Sequence, residues 1–538
     1  MQRLIPLALL IGLSTTLPGC SNQSQSPTNV ILLLVDTMRA DHFLDPEQRV
    51  DTPNLDSLAE DGVSFTKAFS HAPMTLPAHT SIFSSQLPDA TGIVLNRQQV
   101  PERLPLLAEY LQSEGYATSA VVSIWTLGNR TGTYGIERGF EHYDRNYLGL
   151  LPPAPITQER MLPELRRLAA LDQPFFLFAH YSDPHLPYNV HDDSVFRSAT
   201  IKLDDGLIAE LPISKMTLWE HEIILPPGPH VLDLSSEFPF RYDSDLGFDD
   251  SVVRLLPPQA NDFVPGMRGS RSFRRIVTRW ENLTDTPQPI QASLWLGEEP
   301  SHAEKLQRYP GEVEYVDGFV GEFLSELKTL NLYDDSLILF TSDHGEALGE
   351  HDWWGHNQNL YDELLHIPLV LKLPIQHAKA TALQSNASSI ANHIDLAPTI
   401  LDVLGLAPLP GQVGFSLVDD KRTSPPVNFA ATHLPLAEGS SESAKRGDDL
   451  VSLRDQKYKL IYTRSSDRFE MIDLVKDPKE LTDVFSSHGE ERRAWQEQLR
   501  AAANRLDQID FEAVLSGATE AERQSLSALG YADTPENE

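Results

Sequence analysis

Residues 29–43 read NVILLLVDTMRADHF, and the break inside that stretch decides the fold. Six consecutive apolar residues, Val30 to Val35, give way at Asp36 to a polar run. A strand buried on both faces reads as an unbroken apolar segment, whereas a strand with one wet face alternates. The stretch therefore predicts a central parallel strand that delivers the Asp36 carboxylate to its C-terminal edge. The same shape recurs in DSLILFTSDHGEALGEH (335–351), where Leu337–Phe340 leads into Asp343, His344 and Gly345. A third copy, QPFFLFAHYSDPHLPY (173–188), leads to His180, Asp183 and His185. Between the runs lie helical patterns, LPLLAEYLQSEGY (104–116) and VEYVDGFVGEFLSELKTL (313–330), with apolar residues at three-four spacing. Such alternation predicts an α/β core with a mainly parallel central sheet and flanking helices. In these sheets the active site gathers at the carboxyl ends of the strands.

Outward from this core the rhythm changes. Between 191 and 300 the segments ATIKLDD, GLIAELPI, HEIILPPGPHVLDL, RRIVTRWENLT and PIQASLWLG are short, often alternating and separated by Pro, Gly and Asp. They predict a β-sandwich-like insertion between two halves of the catalytic core, 29–190 and 301–417. The Pro- and Ser-containing stretch 418–446 reads as a linker, and 447–538 as a small C-terminal α+β subdomain with a helical tail.

The N-terminus carries Arg3 and then an apolar run, Leu4–Leu13, too short for a permanent membrane span. Residues 1–19 read as an export signal. The end of that segment, Leu17-Pro18-Gly19-Cys20, resembles a bacterial lipobox. Cys20 is the one cysteine among 538 residues, so it forms no intramolecular disulfide, and acylation gives it a purpose. Residues 20–28 then form a lipid-anchored tether. By resemblance to Gram-negative lipoproteins, Ser21 after the cysteine implies the outer membrane, facing the periplasm or the cell surface. A formal net charge of −34 argues against nucleic acid as a partner.

Two carboxylates and an imidazole can hold a divalent cation, and Asp36, Asp343 and His344 supply that set. A threonine hydroxyl beside such an ion is an activated nucleophile. Thr75, in MTLPAHTSIFSS (74–85), is the candidate, because Pro77 fits a first helical turn and a helix N-terminus holds anions. Each residue alone has a plainer reading. A strand-end Asp caps a turn, His-Gly is a turn, and Thr75 caps its helix. The joint occurrence at strand ends favours the metal.

These motifs resemble the sulfatase family of the alkaline phosphatase superfamily. The resemblance rests on VDTMRADH (35–42), TPNLDSLAEDGVSFTKAFS (52–70), TLPAHTSIFSS (75–85), EGYATSAVVS (114–123), RGFEHYD (138–144) and FLFAHYSDPHLPY (176–188). It continues through SDHGEALGEHDWWGH (342–356), HIDLAPTILDVLGL (393–406) and LIYTRSSDRFEMIDLVKDPKELTDV (460–484). It implies one divalent ion (Ca²⁺, Mg²⁺, Mn²⁺ or Zn²⁺) on Asp36, Asp343 and His344, with Thr75 as nucleophile and fourth contact. It also implies that His185 meets the ester and its leaving group, and that His356 lies against the anion. His79, His180 and His351 are further candidate substrate contacts. Asp183 and His185, with His351 or His356, form a possible second metal site.

The departures from the family pattern matter equally. Sulfatases convert Cys or Ser in C/S-x-P-x-R to formylglycine, and here the window is Thr75-Leu76-Pro77-Ala78-His79. Threonine cannot become that aldehyde hydrate, so no formylglycine is expected. Thr37 stands where the family's second Asp falls. The expectation is a metal-dependent hydrolase acting on a small-molecule or glycan ester of sulfate, phosphate or phosphonate. The alternatives are a catalytically silent surface-binding lipoprotein and a phosphoryl head-group transferase.

Overall fold

The computed structural model describes residues 28–43, 50–96, 98–128, 134–146, 151–186, 188, 198–212, 217–247, 252–256, 263–265, 273–298, 300–421, 427–432, 449–488 and 492–506. The export segment, Cys20, nearly all of the tether, most of the 418–446 linker and the tail lie outside the described residues.

Seven strands form the central sheet: β1 (Val30–Val35), β2 (Val63–Ser64), β3 (Ala117–Val121), β4 (His142–Asp144), β5 (Phe175–Tyr181), β6 (Leu337–Thr341) and β7 (Leu369–Lys372). Their order is β2-β7-β6-β1-β5-β3-β4. Strands β6, β1, β5, β3 and β4 run parallel, and β7 is antiparallel to both β6 and β2. All six residues of β1 are buried, because helices cover both faces. Leu32, Leu34, Phe176, Phe178 and Leu339 pack against Leu76, Ile82 and Phe83 of α1 (Thr75–Ser84). Ile31, Leu33, Leu177, Tyr181 and Phe340 pack against α2 (Ala154–Ala169) and α3 (His302–Thr329), through residues such as Met161, Leu165, Val316 and Val320. Each fully buried Leu, Ile or Phe contributes roughly 1.5–3 kcal/mol. The apolar run at 30–35 is thus the consequence of a sheet with no wet side.

Register fixes what meets at the strand ends. Leu34 of β1 lies level with His180 of β5 and with Thr341 of β6. Two residues further along, at the carboxyl edge, stand Asp36 and Asp343.

Between Ser198 and Glu298 the chain forms an antiparallel strand-rich insertion. One long strand, Gly228–Gly247, pairs along its first half with Phe273–Asn282 and Ser198–Leu203, and along its second half with Gln288–Glu298. A register shift between Ser235 and Phe240 marks the change of partners, so this one strand joins both sets within a single antiparallel sheet. The C-terminal sheet has four antiparallel strands, Asn428–Thr432, Leu450–Arg454, Tyr458–Thr463 and Arg468–Asp473. Helix Arg493–Leu506 seals it with Leu499, Ala502, Ala503 and Leu506. The first of these strands falls inside the stretch read as linker, which corrects that boundary. Its five residues are all buried, a short apolar segment that the surrounding Pro and Ser residues conceal in the sequence.

Candidate metal and nucleophile site

At the carboxyl edge of β1, β5 and β6 the structure gathers Asp36, Asp343 and His344, with one ligand atom of each within 4.8 Å of the others. All three are fully buried. Both oxygens of Asp36, Oδ2 of Asp343 and Nε2 of His344 make no hydrogen bond. The other Asp343 oxygen accepts from the Thr37 and His344 amides at 3.1 and 2.8 Å. Burial, and then the neighbouring Asp343, push the Asp36 carboxyl well above the ordinary carboxylate range. For Asp343 burial pulls upward, but His344, His79 and His180 outweigh it and hold the carboxyl down at about 2. Two buried carboxylates facing one another without protons or donors between them are costly. A divalent cation removes that cost, so the residues present fit one.

The first turn of helix α1 meets this cluster through His79. Thr75 is its first residue rather than its cap: Met74 occupies the cap position, and Thr75 Oγ1 is buried without a hydrogen-bond partner. The capping work is done from elsewhere. Asn96 Oδ1 accepts from the Leu76 amide at 2.9 Å, and Asn96 Nδ2, also buried, has no partner. Along the helix Thr80 and Ser84 satisfy their hydroxyls on the carbonyls of Leu76 and Thr80, as buried helical hydroxyls do. Thr75 and Ser81 leave their hydroxyls without a partner, and of the two Thr75 stands at the helix start. One turn on, His79 Nδ1 lies 2.7 Å from Thr75 O and 3.8 Å from Asp343 Oδ2, so the helix start abuts the acidic cluster.

The turn after β1 is held under constraint. Thr37 has φ 56°, a left-handed conformation that a β-branched residue rarely adopts. Tyr309 of α3 pins it by donating to Thr37 O at 2.7 Å and accepting from the Arg39 amide at 2.9 Å. Arg39 in turn donates to Glu346 O and pairs with Asp41 and Glu350. After β6, Gly345 is required by space, since a Cβ there would sit 2.1 Å from Glu363 O.

A second group of side chains borders the cluster. The rings of His344 and His356 are 4.6 Å apart and those of His356 and His185 are 4.9 Å apart. His356 Nδ1 is 3.2 Å from Glu346 Oε1. Burial pushes Glu346 up to about 7. It lowers His185 to about 3 and His356 to about 4, so both imidazoles are neutral near pH 7.

The Sulfatase family profile matches residues 28–406, and the profile described as N-sulphoglucosamine sulphohydrolase, C-terminal, matches 349–508. The chain belongs to the sulfatase family. Among curated members, a choline-sulfatase of Rhizobium meliloti is 23% identical, the match spanning 85% of this chain and 82% of that one. An N-acetylglucosamine-6-O-sulfatase of Bacteroides thetaiotaomicron is also 23% identical, over 90% of this chain and 86% of the other. Among solved structures, the phosphonate monoester hydrolase of Agrobacterium radiobacter superposes with a TM-score of 0.58 at 19% identity, covering 89% of this chain and 96% of that one. The α/β core with a mostly parallel sheet is therefore the alkaline-phosphatase/sulfatase fold, and this chain is a sulfatase-like hydrolase.

Within this sulfatase-family chain the expected site residues separate into two sets. Asp36, Thr75, His79, His180, Asp343 and His344 come together in one buried cluster, and His185 and His356 adjoin it. Asp183 and His351 do not join them. Asp183 Oδ1 accepts from the Ala154 amide at the start of α2, a helix cap. Among the described residues the metal-competent group is Asp36, Asp343 and His344; Asp183 and His185 form no second one. His351 holds Glu363 Oε1 at 3.0 Å and Glu480 O at 3.1 Å, so both ring nitrogens are spent on joining the core to the C-terminal subdomain. Its reading as a substrate contact is corrected on that ground. Three participants were missed in the sequence: Asn96, Glu346 and Tyr309. Only Glu346 left a signal there, as an acid two residues beyond His344.

Proposed function

We propose that this protein is a divalent-metal-dependent ester hydrolase whose nucleophile is the Thr75 hydroxyl, with phosphate or phosphonate esters as preferred substrates. The observation that carries the reading is Thr75 Oγ1 itself: buried, without a partner, and at the first position of a helix whose first turn brings His79 within 3.8 Å of Asp343 Oδ2. A divalent ion on Asp36, Asp343 and His344 supplies Lewis-acid polarisation of the ester and lowers the hydroxyl's pKa. The chain's own groups do the rest. The Thr75 amide N–H at the start of α1 and the unpartnered Asn96 Nδ2 are the donors that would meet the anion's non-bridging oxygens. In this reading His185 and His356, neutral and side by side, serve the leaving group.

Chemistry of the nucleophile favours phosphorus. Formylglycine hydrate expels sulfate by elimination through its second hydroxyl, an exit that a Thr–sulfate ester lacks. A Thr–phosphate is relieved by in-line attack of water at phosphorus, for which positioning and charge stabilisation suffice. The test is a screen of aryl phosphodiesters, phosphonate monoesters, phosphate monoesters and sulfate esters against a panel of divalent ions. Turnover of phosphorus esters that vanishes with chelator is the expected result. Efficient cleavage of aryl sulfates without any turnover of phosphorus esters would overturn the preference.

Cellular placement belongs to the same proposal. The lipobox-like sequence ending at Cys20 supports an exported lipoprotein. Labelled palmitate entering the wild-type chain but not Cys20→Ala is the expected outcome, and equal labelling would refute it.

A further inference from the structure

We infer that His180 is a ligand to the cation, so that an Asp₂His₂ set of Asp36, Asp343, His344 and His180 selects Zn²⁺ over Ca²⁺. The inference rests on the metal reading above and goes beyond the group of three. His180 is the last but one residue of β5, level with Leu34 of β1. Its Nε2 is 3.6 Å from Asp36 Oδ2, both side chains are fully buried, and neither atom makes a hydrogen bond.

Proton bookkeeping shows why that contact is not an ordinary one. Ser123 has one hydroxyl proton, which it gives to the His180 carbonyl at 2.9 Å. Its oxygen also lies 2.9 Å from His180 Nδ1, and as an acceptor there it requires Nδ1–H. The remaining nitrogen, Nε2, is then a bare lone pair facing a carboxylate oxygen. His344 repeats the arrangement: Nδ1 lies 2.9 Å from Gly345 O, a pure acceptor, which leaves an Nε2 lone pair 3.5 Å from Asp343 Oδ2. Imidazoles that bind metals are oriented in this way, with the distal N–H anchored on a carbonyl or hydroxyl. His79 provides the internal contrast. Its Nε2 is also buried without a partner, but its protonated Nδ1, bonded to Thr75 O, is the ring nitrogen nearest Asp343, so what it turns toward that carboxylate is a donor. Two imidazoles in place of oxygen ligands shift preference from Ca²⁺ or Mg²⁺ towards Zn²⁺.

The experiment is X-ray absorption at the zinc edge on the full-length protein loaded with Zn²⁺, with zinc affinity measured by chelator competition. Two imidazoles per zinc are expected in the wild type and in His79→Asn, and one in His180→Ala. Zinc affinity should drop at least about 10-fold in His180→Ala, and millimolar Ca²⁺ should not displace zinc from the wild type. One imidazole in the wild type, or an unchanged count and affinity in His180→Ala, overturns the inference. Should His180→Ala fail to fold, the wild-type and His79→Asn counts decide: two in both supports His180, and one in either refutes it. Asp343→Asn separates the two levels. Zinc lost in that variant, with one imidazole in the wild type, leaves the metal site standing and removes His180; no zinc in the wild type removes the metal reading itself.

Discussion

Two buried clusters of charge lie in this chain, and they are finished differently. At the junction with the C-terminal subdomain, Asp362 takes Arg454 at 2.8 Å and Lys459 at 2.6 Å, and Lys459 also holds Glu480 at 2.6 Å. Lys459 donates to Leu360 O, and Asp362's amide donates to Glu480 Oε2. Every charge there has an opposite within the protein. At the carboxyl edge of β1 and β6, Asp36 and Asp343 are buried more completely than Asp362, whose side chain is 24% exposed, yet their facing oxygens and the Nε2 atoms of His180 and His344 have none. Burial is affordable in the first case because the ion pairs are internal. In the second the completing charge has to come from outside the chain. An internally satisfied network marks architecture, and an incomplete one marks a site.

Substitutions should break the two clusters in opposite ways. Thr75→Ala has the largest expected effect, a fall in kcat of at least about 1,000-fold, with metal binding retained and the unfolding temperature unchanged. Steady-state kinetics beside calorimetry checks it. Asp343→Asn should abolish metal binding, and in the metal-free protein the unfolding temperature should stay level or rise, because a like charge beside Asp36 has been removed. Lys459→Met is the mirror image. It should cost about 3–5 kcal/mol in denaturant unfolding, since buried Glu480 loses its cation and Asp362 keeps Arg454 alone, while metal affinity in the folded protein is unaffected.

Acidity sharpens the comparison further. Burial, and then the charge of Asp362, push Glu480 up to about 7. A carboxyl with a raised folded-state pKa contributes stability in full below its unfolded value and loses it as pH rises through the folded one. Stability should therefore decline between about pH 4.5 and pH 7, and Glu480→Gln should flatten that slope in melts across the range. The smallest effect is expected from His351→Asn. It should lower stability by about 1 kcal/mol through lost ties to Glu363 and Glu480, with kcat and metal affinity unchanged.

The sequence made one half of this comparison legible. Apolar runs that stop abruptly at Asp36 and at Ser342-Asp343-His344 announce buried strands ending in ligands, because a sheet covered on both faces tolerates no polar residue before its edge. Thr75 was legible as a helix start. Its role as first residue rather than cap was not, because the true cap, Asn96, reaches in from a separate loop. His180 was visible at a strand end, but its direction depends on register with β1, which local pattern does not encode. His351 misled because it sits close in sequence to His344. Its φ of 53° and its two partners carry it to the subdomain junction. Tyr309 could not be foreseen, since its contact with Thr37 spans 272 positions of chain.

The central claim is that Thr75 is the nucleophile of a metal-dependent phosphorus-ester hydrolase. It is tested most directly by acid-quenching the metal-loaded enzyme during turnover of an aryl phosphodiester or phosphonate and mapping the peptide that contains Thr75 by mass spectrometry. A phosphoryl or phosphonyl adduct on Thr75, absent from Thr75→Ser only if that variant is inactive, is the result the account predicts. Sustained turnover with Thr75 unmodified, and undiminished in Thr75→Ala, would contradict it.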